Sequence, residues 1–218
     1  AGGGRRDRRA GEVTDQNHMG GWMAGLKRVC VFCGSNAGAR PEYAEAARAM
    51  GTALAERGIG LVYGGGKVGL MGIVADTVLA AGGEAIGVIP EGLLLREVGH
   101  AGLTELRVVK SMHERKALMA DLADAFVALP GGFGTFEEFC EVLTWSQLGI
   151  HQKGCGLLNA AGYYAGLLAL FDHAAAEGFL PPAHRALVLE DTDPARLLDR
   201  LADFTPPTVR KWIDRDER

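Results

Sequence analysis

The stretch Pro130-Gly131-Gly132-Phe133-Gly134-Thr135-Phe136-Glu137-Glu138 decides how this 218-residue chain is read. It follows the apolar run Ala125-Phe126-Val127-Ala128-Leu129 and precedes an amphipathic segment, so it reads as strand, glycine turn and helix. Three glycines strip side chains from a turn whose backbone N–H groups open a helix. Such an end carries partial positive charge and unpaired donors, which suits a phosphate. Two carboxylates follow within a turn. A phosphate seat beside acids points to chemistry on a phosphorylated sugar.

Outward from this unit, apolar strands and helical stretches alternate from Lys27 to about Phe204. The pattern predicts strands over 28–32, 60–63, 85–89, 106–109, 125–129, 156–158 and 186–189. They are short, aliphatic and bounded by Gly or Pro, as strands buried on both faces should be. Helices are predicted over 42–57, 70–81, 113–122, 136–148, 163–177 and 194–202. Such alternation implies right-handed crossovers and an α/β, doubly wound, mainly parallel sheet with helices on both faces. Parallel strands put three small-residue turns on one sheet edge: Cys33-Gly34-Ser35-Asn36, Tyr63 to Gly69, and Pro130 to Thr135. Ligands of open α/β sheets bind at that edge. The three turns can wall one crevice.

Ser111-Met112-His113-Glu114 and Thr135-Phe136-Glu137-Glu138 both have the form of a capping box, and Gly178 suits a helix C-terminus. With Thr135 as N-cap, Glu138 has a structural alternative to any chemical role. Glu137 points about 100° away from it around the helix. Thr144, seven residues on, shares the Glu137 face and is expected to line the same pocket. Phe136, Cys140, Leu143 and Gln147 form an expected core stripe; Trp145, Leu148 and Ile150 suggest a subunit contact. Arg115 and Lys116 fall in opening helical turns, where cations oppose the macrodipole. That placement favours a partner anion for Arg115, whereas His113 needs no role beyond a polar helix start.

At 48% hydrophobic content the chain can bury one large core, here assigned to residues 25–206. Residues 1–24, rich in Gly and charge, are expected to be a disordered tail, and 207–218 a loose charged end. A net charge of −4 argues against a nucleic-acid binder, because Asp7, Glu12 and Asp15 offset the arginines at 5, 6, 8 and 9. No apolar run approaches the roughly 18 residues of a membrane span, and no export signal is seen, so a cytoplasmic protein is expected. Cys30 and Cys33 have CxxC spacing, but strand residues three apart face opposite sides, which excludes a ready clamp or disulfide. Gly64-Gly65-Gly66-Lys67-Val68-Gly69 satisfies GxGxxG, yet the acid expected about 20 residues on falls at Glu91, past Pro90; no Ser or Thr follows Lys67 as a P-loop needs. A tight turn that lets a nucleotide approach the backbone fits better.

The chain also resembles the LONELY GUY family of cytokinin-activating phosphoribohydrolases, often labelled "possible lysine decarboxylase". The resemblance rests on Val31-Phe32-Cys33-Gly34-Ser35, Leu61-Val62-Tyr63-Gly64-Gly65-Gly66, Gly69-Leu70-Met71-Gly72, Gly87-Val88-Ile89-Pro90 and Met112-His113-Glu114-Arg115-Lys116. It continues with the PGGxGTxxE pattern at Pro130 to Glu138 and with Thr144-Trp145-Ser146-Gln147-Leu148-Gly149. It implies a Rossmann-like fold, a homodimer, and hydrolysis of a nucleoside 5′-monophosphate to free base and ribose 5-phosphate, with neither metal nor organic cofactor. Arg115 and Glu138 match the family's catalytic pair. Glu97, Arg115, Lys116, Gly131, Gly132, Phe133, Gly134, Thr135, Phe136, Glu137 and Thr144 are the implied substrate-binding set, to which Ser35 of the first sheet-edge turn is added as a candidate. Lys153-Gly154-Cys155 and Ala160-Ala161 depart from the common family pattern outside these motifs.

The decarboxylase label fails on chemistry, since amino-acid decarboxylation generally needs an electron sink such as pyridoxal phosphate on a lysine. Two other readings stand beside the hydrolase: a non-catalytic nucleotide or molybdenum-cofactor binding module, and a nicotinamide dehydrogenase. Arg115 and Glu138 together favour the hydrolase.

Overall fold

A computed structural model describes residues 25–94 and 99–207. The expected N-terminal tail, Glu97 and the end from 208 onward lie outside the described residues. The strands are β1 (Arg28–Phe32), β2 (Gly60–Tyr63), β3 (Ala85–Pro90), β4 (Glu105–Val109), β5 (Ala125–Ala128), β6 (Cys155–Leu158) and β7 (Val188–Asp191). The helices are α1 (Pro41–Glu56), α2 (Gly69–Ala80), α3 (Glu91–Leu94), α4 (Met112–Leu122), α5 (Phe133–Gln147), α6 (Ala165–Ala176), α7 (Pro182–Arg185) and α8 (Pro194–Ala202), with a 3-10 turn at Ala160–Gly162.

All six adjacent strand pairs are parallel, in the order β4-β3-β2-β1-β5-β6-β7. The expected α/β doubly wound sheet is therefore present. The chain winds outward from β1 to β4, then α4 carries it back across the sheet to β5 on the other side of β1. That reversal puts the switch point between β1 and β5, where a ligand crevice opens in such sheets.

Alternation along the strands feeds two cores. Val29, Val31, Leu61, Tyr63 and Val127 pack with Met50 and Leu54 of α1, Leu70 and Val74 of α2 and Leu197 and Leu201 of α8. Cys30, Phe32, Val62 and Phe126 pack on the opposite face with Met119 of α4, Phe139 and Val142 of α5 and Leu168 of α6. Cys30 and Cys33 fall in different cores, as strand geometry requires. On the first face α1 and α2 touch at Gly51, where a Cβ would stand 2.8 Å from Thr77 Cβ and 2.9 Å from the Val74 carbonyl oxygen. Only a bare backbone allows that approach.

The expected local structure needs correction in several places. α5 starts at Phe133 with Gly132 as its N-cap, so Thr135 lies inside the first turn and is no cap. Gly132 caps with ordinary extended backbone and no side-chain bond, and the helix begins before the capping-box residues. The buried stripe of α5 is Thr135, Phe139, Val142 and Ser146. It has the spacing expected of Phe136, Cys140, Leu143 and Gln147 but lies one residue earlier, leaving those four half-buried. β7 runs two residues later than the apolar pattern suggests, because Ala186 and Leu187 close the unpredicted turn α7 through bonds to Pro182 and His184. At α4, Ser111 caps as expected by accepting from the Glu114 N–H at 3.1 Å; the Glu114 carboxylate bonds the Lys110 N–H and not that of Ser111.

Candidate active site

The three turns meet. The Gly34 N–H donates to the Pro130 carbonyl at 3.0 Å, and the Leu70 N–H donates to the Gly34 carbonyl at 3.0 Å. The first turn is thus bonded to both others. The second is also held from behind: the His100 N–H donates to the Gly65 carbonyl at 3.2 Å, while the buried His100 ring pairs with Asp76 at 2.7 Å. A cleft of about 240 Å³ opens beside the first and third turns, lined by Ser35, Asn36, Tyr43, Gly131, Gly132 and Tyr163 among others. Ser35, Gly131 and Gly132 are therefore brought together.

The N-terminus of α5 borders this cleft. Gly132, Phe133 and Gly134 are exposed there, and the Phe133 ring is 91% exposed. An α-helix leaves its first N–H groups without intrahelical acceptors, so this end offers donors. Thr135 is buried and contributes to the turn's packing, not to an open surface. Phe136 packs against Tyr163 and Tyr164, with ring centroids 6.3 Å away in each case.

Arg115 comes from α4, which crosses behind β1 to β3 and delivers a guanidinium to the end of β2. It is only 6% exposed. One terminal nitrogen donates to the Gly64 carbonyl at 3.1 Å, the other approaches the Met112 sulfur at 3.8 Å, and the buried Nε makes no hydrogen bond among the described residues. A Cβ at residue 64 would lie 1.9 Å from the guanidinium, so glycine is what admits the arginine. Glu138 is half-buried on α5. Burial pushes the Cys30 thiol well above its ordinary range, the Glu138 charge pushes it further, and the Arg115 charge opposes. Burial raises Cys33 too, with Glu138 adding to it. Cation and carboxylate both act on the Cys30 thiol, in the middle of β1. Because α5 begins at Phe133, Glu138 lies beyond the first turn and has no capping duty.

Lys116 departs from expectation. Its side chain is 10% exposed, and its ammonium bridges Glu137 at 2.5 Å and Glu141 at 2.9 Å. Burial alone would lower its pKa, but the two carboxylates outweigh burial and raise it. Lys116 clamps α4 to α5 through both carboxylates. Glu141 was not expected; its spacing of four from Glu137 is the signal that two acids share one helical face.

Thr144, expected on the Glu137 face, borders a cleft whose lining does not include Glu137. It donates its hydroxyl back to the Cys140 carbonyl at 2.8 Å and lines an apolar cleft of about 290 Å³ with Leu143, Gln147, Phe171 and Phe179. That cleft lies between α5 and α6. Tyr163 and Tyr164 are further residues the sequence did not single out for the site. Tyr163 donates its hydroxyl to the Gly131 carbonyl, and Tyr164 donates to the Leu129 carbonyl at 2.6 Å. Among the described residues, no group of three or more His, Cys, Asp or Glu could hold a metal ion. No helix among them is long and apolar enough to cross a membrane.

A family model described as "Possible lysine decarboxylase" matches residues 71–201, more than half of the chain. A probable cytokinin riboside 5′-monophosphate phosphoribohydrolase of Oryza sativa subsp. japonica, LOGL1, is 53% identical over 82% of this chain and 80% of its own length. The LONELY GUY family is shown. This chain belongs to it. A LONELY GUY relative from Arabidopsis thaliana, named cytokinin riboside 5′-monophosphate phosphoribohydrolase LOG7, is 51% identical over 83% of both chains. Among solved structures, the molybdenum cofactor binding protein of Rippkaea orientalis superposes with a TM-score of 0.63 over 83% of this chain and 98% of its own, at 22% identity. At that identity the likeness speaks for the LONELY GUY fold alone: a Rossmann-like sheet.

Proposed function

We propose that this protein is a phosphoribohydrolase. It cleaves the N-glycosidic bond of cytokinin riboside 5′-monophosphates, and of AMP, to free base and ribose 5-phosphate. One observation carries the reading: a nearly buried arginine held at the Gly64 carbonyl, on the sheet edge where a glycine turn opens the 15-residue helix that carries Glu138.

Breaking the bond from C1′ to the base builds positive charge on the ribose, as in glycoside cleavage through an oxocarbenium-like transition state. The bonding pair leaves with the base nitrogen, which gains a proton from solvent water. A water oxygen bonds C1′ and loses one. Glu138 stabilises the developing charge and takes up the proton of the attacking water, an interaction that strengthens as the barrier is climbed. A guanidinium is a poor proton donor, so Arg115 orients Glu138 or the nucleotide and is no general acid. The turn at Gly131 to Thr135 seats the 5′-phosphate, and this remote anchor fixes the reacting sugar. The reaction has no redox step and calls for no electron sink.

Residues 25–206 act as one catalytic domain in this reading, and the protein works in the cytoplasm as a homodimer. The apolar cleft between α5 and α6, with Phe179 87% exposed at its edge, is a surface a second copy could cover. The fold shared with molybdenum cofactor proteins leaves a carrier function as the weaker reading.

Incubation with AMP, isopentenyladenosine monophosphate and adenosine, followed by chromatography of the released bases, tests the proposal. Base is expected from the monophosphates and not from adenosine. Equal cleavage of adenosine would defeat the phosphate anchor, and no release from any of them would leave the carrier reading.

A further inference from the structure

The turn before α5 has an unusual hydrogen-bond balance. Its four consecutive carbonyls are all occupied. Leu129 O accepts from the Tyr164 hydroxyl at 2.6 Å, Pro130 O from the Gly34 N–H at 3.0 Å, Gly131 O from the Tyr163 hydroxyl, and Gly132 O from the Phe136 N–H at 3.1 Å. With every acceptor used, the turn has only N–H groups to offer a ligand. Backbone donors and acceptors alternate along a chain, so a one-sided loop exists only where something else consumes the acceptors.

The Gly131 carbonyl is the sensitive member. It belongs to a residue that lines the cleft, and glycine lets the peptide unit rotate more freely than any other residue would. Left alone, that carbonyl could swing its negative end toward the position where an anion would sit. The Tyr163 hydroxyl holds it away. The ring is braced in turn: Tyr43 meets it edge-on at 5.6 Å, Phe136 stacks at 6.3 Å and Tyr164 packs at 5.1 Å. Tyr163 also lines the cleft itself. Tyr164 makes a comparable bond, but its side chain is buried beneath the turn and is not part of the cleft wall.

We infer that Tyr163 is a positioning residue for the anion seat: by fastening the Gly131 carbonyl it leaves the turn with donors alone, and so sets affinity for the phosphate end of the substrate. The inference rests on reading that turn as a phosphate site. It assigns Tyr163 no contact with the reacting atoms.

Tyr163→Phe retains the aromatic brace and removes only the hydroxyl, so the fold should persist. Binding of ribose 5-phosphate, measured by titration calorimetry, is expected to weaken about tenfold, the worth of roughly one hydrogen bond. The KM for AMP should rise with it, while kcat at saturation stays within about threefold, because anchoring and not bond cleavage is affected. Tyr164→Phe, which loses an equally direct bond away from the cleft, should lower the melting temperature and keep ribose 5-phosphate affinity within about twofold. Unchanged ribose 5-phosphate affinity in Tyr163→Phe would overturn the inference, as would a fall in kcat alone. If the unaltered protein bound no ribose 5-phosphate, the phosphate-seat reading would fail first, and this inference with it.

Discussion

The two flanks of α5 are built on opposite principles. Toward α4 the helix presents charge: Glu137 and Glu141 hold Lys116, and the charges of Glu138 and Arg115 both act on Cys30. Toward α6 it presents Cys140, Leu143, Thr144 and Gln147 to an apolar cleft. One helix thus separates a preorganised electrostatic site from a surface shaped for apolar contact. The difference teaches that nearness in sequence does not make residues partners. Glu137 and Thr144, nearly eclipsed on a helical wheel, end up with different neighbours.

The largest expected break in this comparison is Glu138→Gln. It removes charge from the α4 flank without disturbing a cap, so kcat should fall by about 10³ or more while the melting temperature hardly moves. A steady-state assay beside a melting curve checks both halves; a large loss of stability with retained turnover would return Glu138 to a structural role.

Gly64→Ala comes next. The added methyl would overlap the Arg115 guanidinium, so the arginine must leave the Gly64 carbonyl. Turnover is expected to drop about 10²-fold, with about 1–3 kcal/mol lost from overpacking. Rescue by a second substitution, Arg115→Lys, would contradict the requirement for a planar guanidinium.

Lys116→Met keeps the packing stem and deletes the clamp, leaving two acids one turn apart without their cation. A destabilisation of about 1–3 kcal/mol is expected, since the lysine is mostly buried. The sign with pH follows from its raised pKa. The clamp's contribution is fully present from neutral pH up to the ordinary lysine range near about pH 10, and is lost only as pH rises beyond it. Denaturant titrations of both proteins at pH 7 and above 10 should show the gap narrowing only in the alkaline series.

The smallest effect is away from both flanks. Ala161, at φ 50° and ψ 29°, is the one described non-glycine residue with a left-handed backbone. Ala161→Asn places a residue tolerant of that conformation there, and a gain of up to about 1 kcal/mol is expected with activity unchanged. A melting temperature that fell would mean the loop before Tyr163 is held by more than backbone preference.

Most of the sheet was legible because buried parallel strands write themselves as short aliphatic runs. β1 and β2 coincide with their predicted residues, and the three turns meet on the expected edge. Helix starts were less legible. The Thr135 capping box is chemically sound, yet the helix starts at Phe133 with Gly132 as its cap, and its buried stripe lies one residue earlier because packing against the sheet, not the cap, sets the buried face. That α4 carries Arg115 and α5 carries Glu138 followed from the alternation of strands and helices; their pairing came from the family resemblance. Three features did not. Lys116 is spent on acids from another element, Thr144 faces α6, and the phenols of Tyr163 and Tyr164 reach back more than thirty residues. Each depends on the rotation of one helix against another, which no local pattern records.

The bare crossing of α1 and α2 at Gly51 acts at a distance. Those helices begin just after the first two turns of the rim, and the Leu70 bond to Gly34 ties one entrance to the other. A methyl wedged between their axes on the far side of the sheet would pry these entrances apart like a shim under a hinge plate. Catalytic tolerance should therefore be uneven across the surface, with a silent-looking helix crossing among the least forgiving places to mutate.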